Sequence, residues 1–311
     1  TGGNPSTFGR NAKIISIDID KGELNKNRGL KPYIKINENC NSFLIRTLNY
    51  LEERKLESFS SNEWIKYCIK MKKNYPTISK NFSINSNFIN PYLFVKQLSK
   101  ALNKNDVIIP DDGGHLTWFM QAFKLKLGQR VFSAFGNSPM GYALPASIGA
   151  SIAKNKQRII CIDGDGSLQI NLQELHTLTQ NKLPIKIFVL NNNGYGIIRQ
   201  FQELYLSKRF EASTFKTGVT HPDYKKIADA FNINYTEIKN HKNLRKNIKK
   251  IINSKKAEFT NIFIDPKQKI IPKLQFGKPI EDLSPLLNRK EFSENMLIDK
   301  ILENKKTIEV N

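Results

Sequence analysis

Acidic residues are scarce in this chain of 311 residues: 28 Asp and Glu stand against 49 Lys and Arg, a formal charge of +21. Such an excess suits a phosphate-bearing partner, but the Lys residues are scattered and accompanied by abundant Asn and Ile, the pattern of a compositional bias. Nucleic-acid binding through the sequence-independent phosphate term stays open as an alternative. Cysteine is rarer: Cys40, Cys68 and Cys161 stand far apart. That excludes a disulfide scaffold and a metal-ligand or redox spacing, and they read as core thiols in a reducing cytoplasm. No apolar run approaches the roughly 18 residues of a membrane span; the longest, such as IKIFVL (185–190), have strand length. An initiator Met and a signal-peptide core are also lacking, so the chain is expected to begin inside a longer one. What is present is core-forming material, with 19 Phe and 10 Tyr, in a length that suggests about two domains of roughly 150 residues.

Residues 12–19, AKIISIDI, form a β-branched run, YIKI (33–36) a second strand, and about 41–56 a helix. Residues 1–56 thus read as the end of an α/β domain. Residues 57–88, with Trp64 as a packing anchor and the polar stretch NFSINSNFIN, read as a connector. From 89 to 270 helices alternate with short runs apolar on both faces: DVIIP, RVFSA, RIICID, IKIFVLNN and NIFID. This is the pattern of an α/β fold with a parallel sheet covered on both sides. The basic segment HKNLRKNIKKIINSKK (241–256) carries Leu244, Ile248, Ile251 and Ile252 at helical spacing and reads as an amphipathic surface helix. Residues 271–311 read as a tail.

Ligands of such sheets bind beyond the carboxyl ends of the strands. There RIICI runs into Asp163-Gly164-Asp165-Gly166-Ser167, a backbone-exposing turn with one carboxylate. Glycines let N–H groups approach a phosphate, and Mg²⁺ usually takes one or two protein carboxylates plus phosphate oxygens. A plain β-turn would look the same. Asn171 and Glu174, three apart, read as an N-cap and capping box for the next helix. The strand IKIFVL ends in Asn191-Asn192-Asn193-Gly194-Tyr195-Gly196, and Asp165 and Asn192 are 27 positions apart (192 − 165), one helix and one strand. Two adjacent parallel strands would bring them to one sheet edge, where they could share a cation with a nearby carbonyl such as that of Gly194.

GDGS, a helix, a strand and NN at this separation resemble the binding motif of thiamine diphosphate enzymes. DDGGHLTWFMQAF (111–123) is similar to the acetolactate synthase loop G-x-G-Q-H, and GNSPMGYALPASIGASIAK (136–154) to their G-x-G-x-M-G-Y-G-L-P-A-A-I-G-A. The resemblance implies that Gly114, His115, Asn137, Ser138, Met140, Gly164, Asp165, Gly166, Ser167, Asn192, Gly194, Tyr195 and Gly196 contact the cofactor. Met140 would support its bent conformation, and Asp165, Asn192 and Gly194 would hold Mg²⁺. Phe201 matches a Trp that shapes the acceptor pocket. AKIISIDID is similar to AKIIHIDID of the family's central domain, with Asp18 as the residue that would hold a ribose. That domain binds FAD in acetolactate synthases; Asn39 stands where a familiar Asp would, which weighs against FAD here.

The implied activity is thiamine-diphosphate- and Mg²⁺-dependent decarboxylation of a 2-oxo acid with carboligation to an acceptor. The glutamate that tunes the aminopyrimidine lies in the family's N-terminal domain, so no residue of this chain is assigned as catalytic, and the segment alone is expected to be inactive. A homodimer or homotetramer with a shared active site is implied. A simple 2-oxo acid decarboxylase and a non-catalytic scaffold that kept the fold stay open as alternatives.

Overall fold

A computed structural model describes residues 4–26, 29–55, 62–78 and 87–301. The chain divides into two compact units, Thr1–Cys68 with Ile271–Asn311, and Ile69–Ile270.

In the first unit, β1 (Ile15–Asp18) and β2 (Ile34–Asn37) pair in parallel, Ile15 opposite Ile34 and Asp18 opposite Asn37. The helix that follows runs Cys40–Glu53, and Asn39 is its N-cap, accepting from the N–H groups of Asn41 and Ser42. The cap role explains an Asn at the end of β2 without any ligand. Asp18 Oδ1 accepts from Asp20 N–H (2.9 Å), a local turn bond. Trp64 lies on the helix whose first unit residues begin at Asn62; it is not the buried anchor expected but 56% exposed, its ring stacked on that of Tyr67 at 5.5 Å. Cys40 and Cys68 are exposed, and of the three cysteines only Cys161 is in a core, which corrects the reading of all three as core thiols. The end of the connector through 79–86 and the tail from 302 lie outside the described residues.

The second unit is a six-stranded, wholly parallel sheet in the order β4-β3-β5-β6-β8-β7, with β3 Val107–Pro110, β4 Arg130–Val131, β5 Ile159–Gly164, β6 Lys186–Asn191, β7 Asn234–Ile238 and β8 Glu258–Phe263. The four interior strands β3, β5, β6 and β8 are buried along nearly their whole length, as strands covered by helices on both faces must be. One layer of the core joins Ile109, Cys161, Ile187 and Val189 of the sheet to Leu144 and Ile148 of the helix Ala143–Ala153 and to Leu175 and Leu178 of the helix Glu174–Gln180. The basic segment forms the helix Leu244–Asn253; Leu244, Ile248, Ile251 and Ile252 are buried, so its lysines are the solvated face.

Two local readings change. Asn171 does not cap the helix after it: that helix starts at Glu174 without a side-chain cap, and Asn171 Nδ2 instead donates to the carbonyl of Gly141 (2.7 Å). Leu172 and Gln173 already have helical dihedrals, so Asn171 lies within a helical run rather than at a helix start. The edge strand β7, NYTEI, was not anticipated, because its alternating polar residues give no apolar run.

Among the described residues no helix is long and apolar enough to cross a membrane.

Candidate functional site

Pairing of β5 with β6 sets Gly164 opposite Leu190, so Asp165 and Asn192 leave neighbouring strands at the same edge. Both line one cleft of about 110 Å³, together with Gly114, His115, Met140, Gly164, Gly166, Ser167, Gly194, Tyr195 and Gly196. The loops after β3, β5 and β6 therefore meet where a parallel sheet places its ligands.

Missing side chains shape this cleft. A Cβ at Gly166 would lie 2.2 Å from Tyr195 Cε1, and one at Gly196 would lie 2.2 Å from Asn192 Nδ2. The His115 ring fits against Gly164, where a Cβ would meet it at 2.8 Å. Two helices also begin here, Gly114–Ala122 and Gly196–Tyr205, and neither has a side-chain cap. The first-turn N–H groups of a helix have no partner within it, and here those of Gly114, His115, Gly196, Ile197 and Ile198 belong to residues that line the cleft. Uncapped helix starts walled by glycine form an anion site by their dipoles and free donors.

The Asp165 carboxylate is buried, its Oδ1 accepting from Gly166 N–H and its Oδ2 from Gly194 N–H, both at 3.0 Å. Burial pushes its pKa up, while His221, the two N–H groups and Arg199 pull it back. A carboxylate held this way keeps lone pairs for a hard cation. His115 is buried, and burial, opposed by a hydrogen bond to the Asp111 backbone, drives its pKa down to about 3. It is neutral, and its Nε2 has no partner in the structure. A glycine cradle, free donors and hard oxygen donors on Asp165 and Asn192 fit a diphosphate bridged to a divalent ion. Among the described residues no cluster of three or more His, Cys, Asp or Glu is placed to hold a metal.

Some assigned residues take other roles. Ser167 lines the cleft, but its Oγ–H donates to Asp163 Oδ1 (2.6 Å), so that donor is committed to the turn. At Gly194 the group on the Asp165 carboxylate is the N–H. Asn137 and Ser138 do not line the cleft; they are exposed in a turn closed by Ser138 N–H on the Ala134 carbonyl (2.7 Å), with Ser138 at φ 47°. Phe201 also lies off the cleft, on the helix Gly196–Tyr205, with its ring 4.9 Å from that of Tyr205.

Beneath the cleft is an acid pair that the sequence did not single out. Asp111 is fully buried and accepts from the N–H groups of Gly141 (2.8 Å), Tyr142 and Ala143 (both 3.4 Å), which ties the end of β3 to the turn carrying Met140. Asp163, also fully buried, accepts from Gly164 N–H and Ser167 Oγ–H with Oδ1. No donor faces its Oδ2; with a proton on it, Asp163 hydrogen-bonds to Asp111. Burial, then the Asp111 charge, pushes Asp163 well above the usual carboxylate range.

Residues 111–262, spanning all of these loops, match the family described as thiamine pyrophosphate enzyme, C-terminal TPP binding domain. The chain is 32% identical over 278 residues to the acetolactate synthase large subunit of Cyanidium caldarium, covering 89% of this chain and 46% of that protein. It is 28% identical to the acetolactate synthase isozyme 1 large subunit of Escherichia coli (strain K12), over 88% and 47%, and 34% identical to the acetolactate synthase large subunit of Pyropia yezoensis, over 78% and 40%. The chain thus spans about half the length of the curated relatives it matches. With the matched domain laid over the cleft that collects its glycines and its carboxylate, residues 111–262 are a C-terminal TPP binding domain of the thiamine pyrophosphate enzymes, in a chain that is acetolactate synthase-like over most of its length.

Proposed function

We propose that residues 89–270 hold the diphosphate and Mg²⁺ of thiamine diphosphate, in an enzyme that decarboxylates a 2-oxo acid and joins the product to an acceptor. The observation that carries this is the meeting of Asp165 and Asn192 in one glycine-walled cleft at the ends of β5 and β6. When bound, the cofactor supplies the carbon nucleophile and the electron sink for decarboxylation.

The chain's own residues bind and orient. Asp165 Oδ and Asn192 Oδ1, with the Gly194 carbonyl, coordinate the ion. The free N–H groups at the starts of the helices Gly114–Ala122 and Gly196–Tyr205 receive phosphate oxygens. Neutral His115 packs its ring against Gly164 in the cleft wall, its N–H held by the Asp111 backbone. Met140 and the apolar Ile197 and Ile198 line the remaining wall and displace water. The glutamate that tunes the aminopyrimidine comes from outside these 311 residues, in a homodimer or homotetramer with a shared active site, and this segment alone is inactive.

Calorimetry of thiamine diphosphate into the intact protein tests the reading. Binding should require Mg²⁺ and vanish in Asp165→Ala. Binding that ignores Mg²⁺, or an Asp165→Ala protein with unchanged function, would overturn it in favour of a silent scaffold.

A further inference from the structure

Three groups from outside the cleft converge on Asp165. Gln169, in the turn Gln169–Asn171, directs its Nε2 to the Asp165 carbonyl at 3.3 Å. The hydroxyl of Tyr224, first residue of the helix Tyr224–Ala230, donates to the same carbonyl. His221, three residues before Tyr224, brings its Nε2 to 3.3 Å from Asp165 Oδ2, with both side chains more than nine-tenths buried. His221 is not among the residues that line the cleft, so it reaches the carboxylate from behind the wall.

Gln169 decides which nitrogen of His221 carries the proton. Its Nε2 lies 2.7 Å from His221 Nδ1 as well as near the Asp165 carbonyl. A carbonyl only accepts, which fixes the Gln169 amide with its NH₂ on this side. That NH₂ therefore donates to Nδ1, and a nitrogen that accepts carries no hydrogen. The ring is the Nε2–H tautomer, its proton on the side of Asp165 Oδ2. In the structure that Nε2 has no aligned partner, and the carboxylate oxygen at 3.3 Å is an acceptor that a small rotation brings into line.

We propose that His221 is a positioning residue for the metal-binding carboxylate: with its tautomer fixed by Gln169, its Nε2–H holds Asp165 Oδ2 from behind and leaves the remaining lone pairs facing the cation. The proposal rests on reading Asp165 as a Mg²⁺ ligand. Groups that orient a ligand in this way typically change metal affinity 10–100-fold when removed.

The test uses Mn²⁺ as the probe, titrated into the intact protein with thiamine diphosphate present and followed by the loss of the free-ion electron paramagnetic resonance signal. His221→Leu should weaken Mn²⁺ binding about 10–100-fold. His221→Gln, which keeps an N–H donor, should restore most of it. Gln169→Met, which frees the tautomer while the ring stays, should lie in between, and a change at the exposed His176 should have no effect. Unfolding midpoints in a chelator show whether each variant is folded; if His221→Leu is not, Gln169→Met and His221→Gln carry the comparison. Wild-type-like Mn²⁺ binding by a folded His221→Leu overturns the proposal, as does equal weakness of the Leu and Gln variants beside a wild-type-like Gln169→Met, the result of packing alone. A wild-type protein that binds no Mn²⁺ with thiamine diphosphate overturns the metal site itself, and this proposal with it.

Discussion

Gly196→Ala separates the cofactor site from the fold. A Cβ at this position would lie 2.2 Å from Asn192 Nδ2 and 3.3 Å from its Cγ, whereas ordinary contact begins near 3.4 Å. The terminal amide must therefore swing away by about 1.2 Å (3.4 − 2.2), while the rest of the side chain stays nearly in place. Metal–ligand distances tolerate only about ±0.2 Å, so a displacement of that size removes the amide oxygen from a shared ion. The expected loss of Mg²⁺-dependent thiamine diphosphate affinity is at least ~10-fold, or ~1.4 kcal/mol. Stability should scarcely move. Gly196 opens a helix without a left-handed φ, and Ala is the better helix former by up to about 1 kcal/mol, which offsets the rotation of one amide. Calorimetry with Mg²⁺ and with chelator, beside an unfolding curve by circular dichroism, reads both quantities. Affinity within twofold of wild type would refute the placement of Asn192 on the ion, and a loss of affinity matched by a loss of stability would refute the separation.

Gly141→Ala should do the reverse and strike the fold. Gly141 has φ 85°, and a Cβ there would lie 2.7 Å from Ile170 Cβ, close to backbone and unable to retreat. Left-handed strain of about 1–2 kcal/mol and overpacking of about 1–3 kcal/mol give a loss of roughly 2–5 kcal/mol, measurable in urea unfolding; a loss under about 1 kcal/mol would contradict the turn. His115 makes stability depend on pH. Its folded pKa of about 3 lies below the ordinary 6.5, so on acidification the unfolded chain takes up a proton that the folded protein refuses. Stability from this group is present above pH 6.5 and is lost as pH falls towards 3, at up to about 1.4 kcal/mol per pH unit. Unfolding free energies of wild type and His115→Asn between pH 4.5 and 7.5 should diverge by one proton's slope, and parallel curves would refute the buried neutral ring.

The parts of the fold legible in the sequence were those with a strong local signal. β5 and β6 announce themselves as IICI and KIFVL because both faces of each strand are buried, and the helix Leu244–Asn253 because its four apolar residues share one stripe. β7 is an edge strand with polar residues facing out, so nothing in NYTEI outweighs a loop. Asn171 shows a local signal that misleads: Asn-x-x-Glu reads as a capping box, but Asn171 lies within a helical run, and its Nδ2 donates to the Gly141 carbonyl, 30 positions away. The site was legible as glycines and one carboxylate at strand ends. The groups that hold it were not, since Asp111 and Asp163 are 52 positions apart (163 − 111), as are Gln169 and His221 (221 − 169), and no spacing marks such pairs.

The acid pair bears on how a cleft built around a carboxylate accepts an anion. Asp111, Asp163 and Asp165 all sit at the ends of β3 and β5, and three negative charges there would repel a diphosphate. Burial and the Asp111 charge push Asp163 well above the usual carboxylate range, which favours its neutral form. The charge left on Asp111 is spent on three backbone N–H groups of the turn that carries Met140, away from the cleft wall. Asp165 alone among them lines the cleft, where the free donors of two helix starts surround it. The local field is then set by one carboxylate and its cation against many N–H dipoles, a balance that admits phosphate oxygens beside the ion. Replacing Asp163 by Asn, which keeps a neutral hydrogen-bonding group, should accordingly preserve this balance, whereas a second ionised carboxylate at the same place would not.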